Sequence, residues 1–346
     1  MEFSLLARLA DAPGISGREE RVRDLIAEQL SGVAGEIGID AMGNLIGHIP
    51  GKGPRVALIA HMDEIGFMVS KIEKDGFIRV MPVGGVDQQI FGGQKVIVHG
   101  REDLPGVVGS IPPHLLQKAD GTENKAAPAI EEGFIDPGLP AAMVLDLVGV
   151  GDPVTFATRS WENEVSFFAK ALDDRVGLFV MLEAVKQAPK IDCDLFLIAS
   201  TQEEYGLRGA GPAVYAVAPQ VVLALEGTVA SDTPNLRLPA NTIPTVQGQG
   251  PEIRLTDKRM ISDRQLADFL IQCAEEAGIR HQVVVKNTGA TDAAVGQVAA
   301  AGVRSCAVSV PTRYIHAPIS VARKEDISQT TALVAEFLKR ASGLAL

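Results

Sequence analysis

Four short apolar runs, rich in β-branched residues and each leading to a carboxylate or a histidine, constrain this chain more than any other feature. VALIA (56–60) runs into His61 and Asp63, and DLFLIAST (194–201) into Glu203 and Glu204. VVLAL (221–225) runs into Glu226, and CAVSV (306–310) leads towards His316. Runs of this length with little polar alternation read as strands buried on both faces, the habit of parallel sheets covered by helices. Open α/β sheets place their sites beyond the carboxyl ends of such strands, so the chemistry is expected along one edge.

The remaining pattern is that of an α/β chain interrupted by a β-rich insert. Helical spacing predicts helices over about 2–11 and 18–31, separated by Pro13, Gly14, Ser16 and Gly17, with Ser16 or Gly17 placed to cap the second. From about Gly66 to Arg159 the texture changes to alternating segments such as FIRVMPV and KVIVHG, punctuated by glycine and proline, with no helical periodicity. Strands at that density indicate a small barrel or sandwich. Within the insert, residues 112–140 are polar and proline-bearing and read as a long, mobile loop. Helical spacing resumes in RVGLFVMLEAVKQ (175–187) and RQLADFLIQCAEEAG (264–278), and EDISQTTALVAEFLKRAS forms a last helix. The expected domains are therefore 1–65 with 160–346, and 66–159 as the insert.

Composition narrows the function. A hydrophobic content of 46% suits a globular core, while a net charge of −11 without a basic cluster argues against nucleic acid or an anionic membrane as partner. No uncharged apolar stretch approaches a membrane span, and the amino terminus lacks the pattern of a secretory leader, so the expected address is the cytoplasm. Cys193, Cys273 and Cys306 are widely spaced in apolar or amphipathic surroundings and read as core residues.

The polar groups at the strand ends have a metal-site chemistry. His48, His99, His114 and His281 read as structural or surface histidines, whereas His61 and His316 each follow a strand. In His61-Met62-Asp63, a period-2 backbone brings the carboxylate to the face of the imidazole, where it can orient the ring. Asp173-Asp174 precedes a helix and could serve as its N-cap, yet one carboxylate there can also bridge two cations, and Asp173 is the bridging candidate. Glu203 and Glu204 are adjacent anions after a buried strand, which repel unless a cation or proton neutralises them. One is expected to bind metal while its neighbour takes a proton from water. With Glu226 the set is rich in carboxylates and suits zinc, cobalt or manganese.

The stretches AHMDEIGF (60–67), ALDDRVG (171–177), TQEEYGLRGA (201–210), ALEGT (224–228), GATDAA (289–294) and RYIHAP (313–318) resemble, in this order, the glutamyl and tetrahedral aminopeptidases, which are dinuclear metallopeptidases. The resemblance extends into the insert and covers nearly the whole chain. It implies a mixed sheet flanked by helices with an inserted small β-barrel used for dimerisation. It also implies two divalent metal ions, with His61 and Glu226 on one, Glu204 and His316 on the other, and Asp173 bridging. Glu203 would be the general base for a metal-activated water, Asp63 would support His61, and Asp173-Asp174 would carry a cis peptide. Family members often have aspartate where Glu226 stands. The implied assembly is a homo-oligomer, a tetrahedral dodecamer built from dimers, acting on short peptides.

Three other activities were weighed. A deacylase or a carboxypeptidase could use the same metals. An endoglucanase needs paired carboxyls beside aromatic platforms, and this chain is only 5% aromatic with Trp161 its single tryptophan. Arg254, in GPEIRLTDKR, and the 289–294 segment are expected near the substrate pocket, which would allow an acidic first residue.

Overall fold

The computed structural model describes residues 1–110, 129–234 and 236–344. They form two compact units, one of Met1–Glu64, Arg159–Ile315 and Ile319–Leu346, the other of Ile65–Thr158 with His316–Pro318.

The first unit is built on an 11-stranded mixed sheet. Its centre is parallel: β12 (Asp194–Ser200), β3 (Arg55–His61), β13 (Val221–Val229) and β16 (Arg304–Arg313) lie side by side in that order. These are the four apolar runs, and each is buried along nearly its whole length. The hairpin of β1 (Glu36–Ile39) and β2 (Leu45–Ile49) closes one side against β12. On the other side β17 (Ser320–Arg323), β11 (Ser166–Ala169) and β10 (Trp161–Glu162) add antiparallel strands, and β14 (Glu252–Thr256) with β15 (Gln282–Val285) branches from β16.

Alternation along the central strands divides the core. Val56, Leu58, Leu195, Leu197, Leu223 and Leu225 pack with α1 (Ser4–Asp11), α2 (Glu20–Leu30), α4 (Leu172–Gln187), α6 (Arg264–Glu276) and α8 (Lys324–Arg340). Ala57, Ile59, Ile198 and Val222 face α5 (Ala210–Val217) in a second cluster, with α7 (Asp292–Gln297) beyond. Each large aliphatic side chain so enclosed contributes roughly 1.5–3 kcal/mol relative to exposure, which fixes strand register and hence the residues delivered at the strand ends.

The second unit is a closed antiparallel barrel in the order β4 (Gly66–Ile72), β5 (Ile78–Val83), β8 (Ile135–Asp136), β7 (Asp103–Val108), β6 (Lys95–His99) and β9 (Pro153–Phe156). Closure leaves no long unpaired edge. Phe67 sits at the centre of its core, its ring 4.9 Å from that of Phe91 and 5.5 Å from that of Phe156.

Several expectations change. The insert does contain a helix, α3 (Ala141–Leu147), which is too short to show periodicity and buries only Val144. The loop expected over 112–140 falls largely on residues 111–128, and with His114 lies outside the described residues. The described remainder carries a 3₁₀ turn at Ile130–Glu132 and then β8. Helix α2 begins at Glu20 without a side-chain cap, because Ser16 and Glu19 are engaged elsewhere. Strand β13 continues beyond VVLAL, so Glu226 lies within the strand, opposite Ser309, rather than after it.

Candidate metal centre

His61 is the last residue of β3 and is buried, 1% exposed. Its Nε2 lies 3.3 Å from Asp173 Oδ1, 3.8 Å from Glu226 Oε2 and 3.9 Å from Glu203 Oε2. Ligand atoms of His61, Asp173 and Glu226 fall within 4.8 Å of one another, and so do those of His61, Glu203 and Glu204. Two spatial triads thus share one imidazole, drawn from four separated stretches of chain.

Local backbone explains the convergence. Asp173 and Asp174 are joined by a cis peptide and have non-helical dihedrals at the start of α4. Asp174 Oδ1 accepts the Gly177 N–H at 2.9 Å, the bond of an N-cap, and its Oδ2 accepts the His61 backbone N–H at 3.1 Å. Asp174 therefore ties the helix to the end of β3 while Asp173 faces the imidazole. Two glycines make room. A Cβ on Gly177 would lie 2.3 Å from Asp174 Oδ1, and one on Gly227 would lie 3.0 Å from the Leu172 carbonyl oxygen and 3.2 Å from Asp173 Cα. Their absence of side chain lets the aspartate pair lie against β13 beside Glu226.

Asp63 meets the His61 ring with its carbonyl oxygen 3.1 Å, and its Oδ1 3.4 Å, from Nδ1. Its carboxylate also accepts the Ser16 hydroxyl at 2.6 Å and the N–H groups of Glu203 and Glu204 at 2.9 and 3.0 Å. Burial opposes its ionisation, but His61, Ser16 and the Glu203 N–H outweigh that and hold its pKa below the usual value.

The opposite holds across the rest of the cluster. Burial, with the charges of Glu226, Asp292 and Glu204, pushes Glu203 well above its ordinary pKa. Burial and the two aspartates push Glu226 up in the same way. Burial alone would lower His61, yet Glu203, Asp173 and Asp63 raise it well above its usual value. Carboxylates crowded so that their pKa values rise, around an imidazole made more basic by them, form a place where added positive charge is strongly stabilised. The donors are oxygen and imidazole nitrogen, the set that zinc, cobalt and manganese accept. A divalent metal fits these residues.

His316 belongs to the second unit, where it takes a left-handed backbone (φ 57°) and its Nδ1 lies 3.2 Å from the Gly85 carbonyl oxygen. Arg254 is 4% exposed and committed to neighbours in the sheet: Nε to Glu252, and its terminal nitrogens to Asp257, Thr228 and Ser309. These bonds hold the guanidinium in place, and the charge of Glu226 adds to those that raise its pKa.

The sequence does not single out Ser16 or Glu19 as part of the site, whereas Asp292 falls in the 289–294 segment expected near the pocket. Asp292 is 1% exposed, accepts the Ser200 hydroxyl, and is raised to about 6 chiefly by burial. Ser16, beside Gly17 and ahead of α2, reads in the sequence as a cap, and nothing there draws attention to Glu19.

Comparison with known proteins places these features in context. The sequence matches the M42 glutamyl aminopeptidase family over residues 43–333. A lysyl aminopeptidase of Pyrococcus furiosus is 34% identical over 346 residues, covering 98% of this chain and 97% of its own. An aminopeptidase from the archaeon Desulfurococcus kamchatkensis superposes with a TM-score of 0.92 at 35% identity, covering 98% of this chain and 94% of that one. The TET1 peptidase of Pyrococcus horikoshii, which can assemble into a tetrahedron or a large octahedral shell, superposes with a TM-score of 0.86 at 30% identity, covering 97% and 98%.

Proposed function

Because this chain belongs to the M42 glutamyl aminopeptidase family and is a peptide hydrolase of that kind, we propose a specific division of labour among its residues. His61, Asp173, Glu204, Glu226 and His316 would hold two divalent cations, and Glu203 would act as the general base. The supporting observation is the pair of triads around His61, in which Glu203 is half-buried among like charges beside the proposed ligands. When bound, such cations polarise a scissile carbonyl and make water more acidic. Zinc or cobalt is the favoured identity, with manganese compatible.

The protein's own groups then handle position and protons. Glu203, already more basic than a free carboxylate, takes a proton from the attacking water as its oxygen bonds to the carbonyl carbon. The same carboxyl returns that proton to the departing amine as the C–N bond breaks. Asp63 keeps His61 and the Glu203–Glu204 turn in register throughout. The substrate is a short peptide with a free amino end.

We also propose that the protein is a homo-oligomer, a tetrahedral dodecamer of dimers, with residues 66–159 as the dimerisation domain. The shell-forming relative supports this, as do Met81, Val107, Met143, Leu145 and Val150, apolar side chains that the barrel unit leaves exposed. Three buried cysteines without a disulfide suit the cytoplasm, and no described helix is long and apolar enough to cross a membrane.

The deciding experiment strips the protein with a chelator and restores zinc, cobalt or manganese before assay on a panel of aminoacyl anilides with acidic, basic and aliphatic residues. Metal-restored release of unblocked amino-terminal residues is expected. Equal hydrolysis of N-acetylated substrates would transfer the site to a deacylase, and release from the carboxyl end to a carboxypeptidase.

A further inference from the structure

In the turn that carries Glu203 and Glu204 the backbone carbonyls of Gln202 and Glu203 accept N–H groups from residues 206–208, while its own N–H groups are held by side chains. Three successive N–H groups, of Gln202, Glu203 and Glu204, donate to carboxylates: the first to Glu19 Oε1 at 3.1 Å, the others to the two oxygens of Asp63. Gln202 has φ 54°, a left-handed conformation unfavourable for an ordinary side chain, so this turn needs restraint. The adjacent charges of Glu203 and Glu204 add repulsion.

Both restraining carboxylates are in turn fixed by the segment between α1 and α2. Ser16 Oγ donates to Asp63 Oδ2 at 2.6 Å, and Glu19 Oε1 also accepts the Gly17 N–H at 2.7 Å. That segment is anchored deeply. Arg175, fully buried and next to the Asp173–Asp174 pair, donates to the carbonyl oxygens of Leu9, Ala12 and Gly14. Gly14 and Glu64 also exchange hydrogen bonds: the Glu64 N–H donates to the Gly14 carbonyl, and the Gly14 N–H to Glu64 Oε1.

We propose that Ser16 and Glu19 are positioning residues for the Glu203–Glu204 turn, Ser16 by orienting Asp63 and Glu19 by holding the Gln202 N–H. Neither touches substrate or metal. Their role rests on the assignment of Glu203 as base, but the hydrogen-bond arrangement stands independently of it. Displacing a reacting group by about 1 Å can cost on the order of 100-fold in rate, so loss of either restraint acts on turnover more than on substrate binding.

The test uses the full-length protein with Ser16→Ala, Glu19→Ala and Glu19→Gln. Hydrogen exchange of amides 202–204 is measured on the chelated protein, and kcat and KM on the metal-restored protein. In both alanine variants exchange at 202–204 should accelerate about tenfold or more, and kcat should fall about tenfold to 100-fold with KM within about twofold. Glu19→Gln keeps an oxygen that can accept from Gly17 and Gln202, so it should recover most of the protection and turnover lost in Glu19→Ala. Ser16→Ala removes one hydroxyl and leaves the Arg175 anchors intact, so its result does not depend on global folding. Unchanged exchange in the alanine variants would overturn the proposal, as would a glutamine variant as impaired as the alanine one. Because exchange is read without metal or substrate, failure of the peptidase assignment would show in the activity assay alone.

Discussion

The two compact units spend their buried volume in opposite ways. In the barrel unit, Thr155 is the only buried polar side chain among the described residues, and the interior is Phe67, Phe91, Phe156 and aliphatic neighbours. The α/β unit has an apolar core of its own, yet at one edge of its sheet it buries His61, Asp63, Asp174, Glu226 and Asp292. Burying charge costs free energy unless it is paired, and here several carboxyls are driven towards protonation instead. One interior is arranged for stability; the other gives up stability locally for chemistry. Substitutions in the two places should therefore fail in different currencies.

The largest contrast is expected at Glu203. Glu203→Gln keeps the shape and removes the base, so kcat should drop by about 10²–10⁴-fold while metal content, measured by atomic absorption after gel filtration, stays the same. Unfolding free energy should hold or rise, since a half-buried, repelled carboxyl has been neutralised. A variant that kept its turnover would remove the distinction between the two interiors at its most important residue.

The reciprocal experiment is in the barrel. Phe67 is fully buried between two aromatic rings, and Phe67→Ala should cost about 3–5 kcal/mol in denaturant unfolding. The protein that remains folded and metal-loaded should turn over normally. A comparable fall in kcat per loaded site would mean that the barrel interior shapes the chemistry, and the contrast would have to be redrawn.

How much of this was legible beforehand follows the same division. Continuous β-branched runs announce the parallel strands because burial on both faces leaves no polar alternation, and the sheet then delivers His61 and the 203–204 pair at strand ends. The barrel was legible from strand density, but α3 was not: Ala141–Leu147 is barely two turns and has one buried residue, so no helical stripe exists to read. The sequence does not show what pairs with Arg254 either. Its partner Glu252 is two residues away, and Thr228 and Ser309 come from other strands. Ser16 and Glu19 illustrate the same limit. Capping is a local interaction and can be guessed from neighbours, whereas hydrogen bonds to Asp63 and Gln202 span 47 and 183 residues.

The smallest expected effect tests whether that edge carries its electrostatic cost beyond the ligand cluster. Glu19 is pushed from an ordinary 4.5 to about 7, by burial first and by the charge of Asp63 second. Between those values the folded protein holds a proton that the unfolded chain has released, so unfolding free energy falls as pH rises through the window and levels off above it. At 1.36 kcal/mol per pKa unit, the difference between 4.5 and about 7 accumulates to a loss of about 3 kcal/mol. Glu19→Gln abolishes the titration while keeping an acceptor for the Gln202 N–H. Urea unfolding of the chelated proteins should therefore give similar free energies near pH 5, with the glutamine variant increasingly the more stable towards pH 8. Parallel pH dependences for the two proteins would show that Glu19 is ionised in the fold without penalty, and would confine the strained electrostatics to the residues immediately around His61.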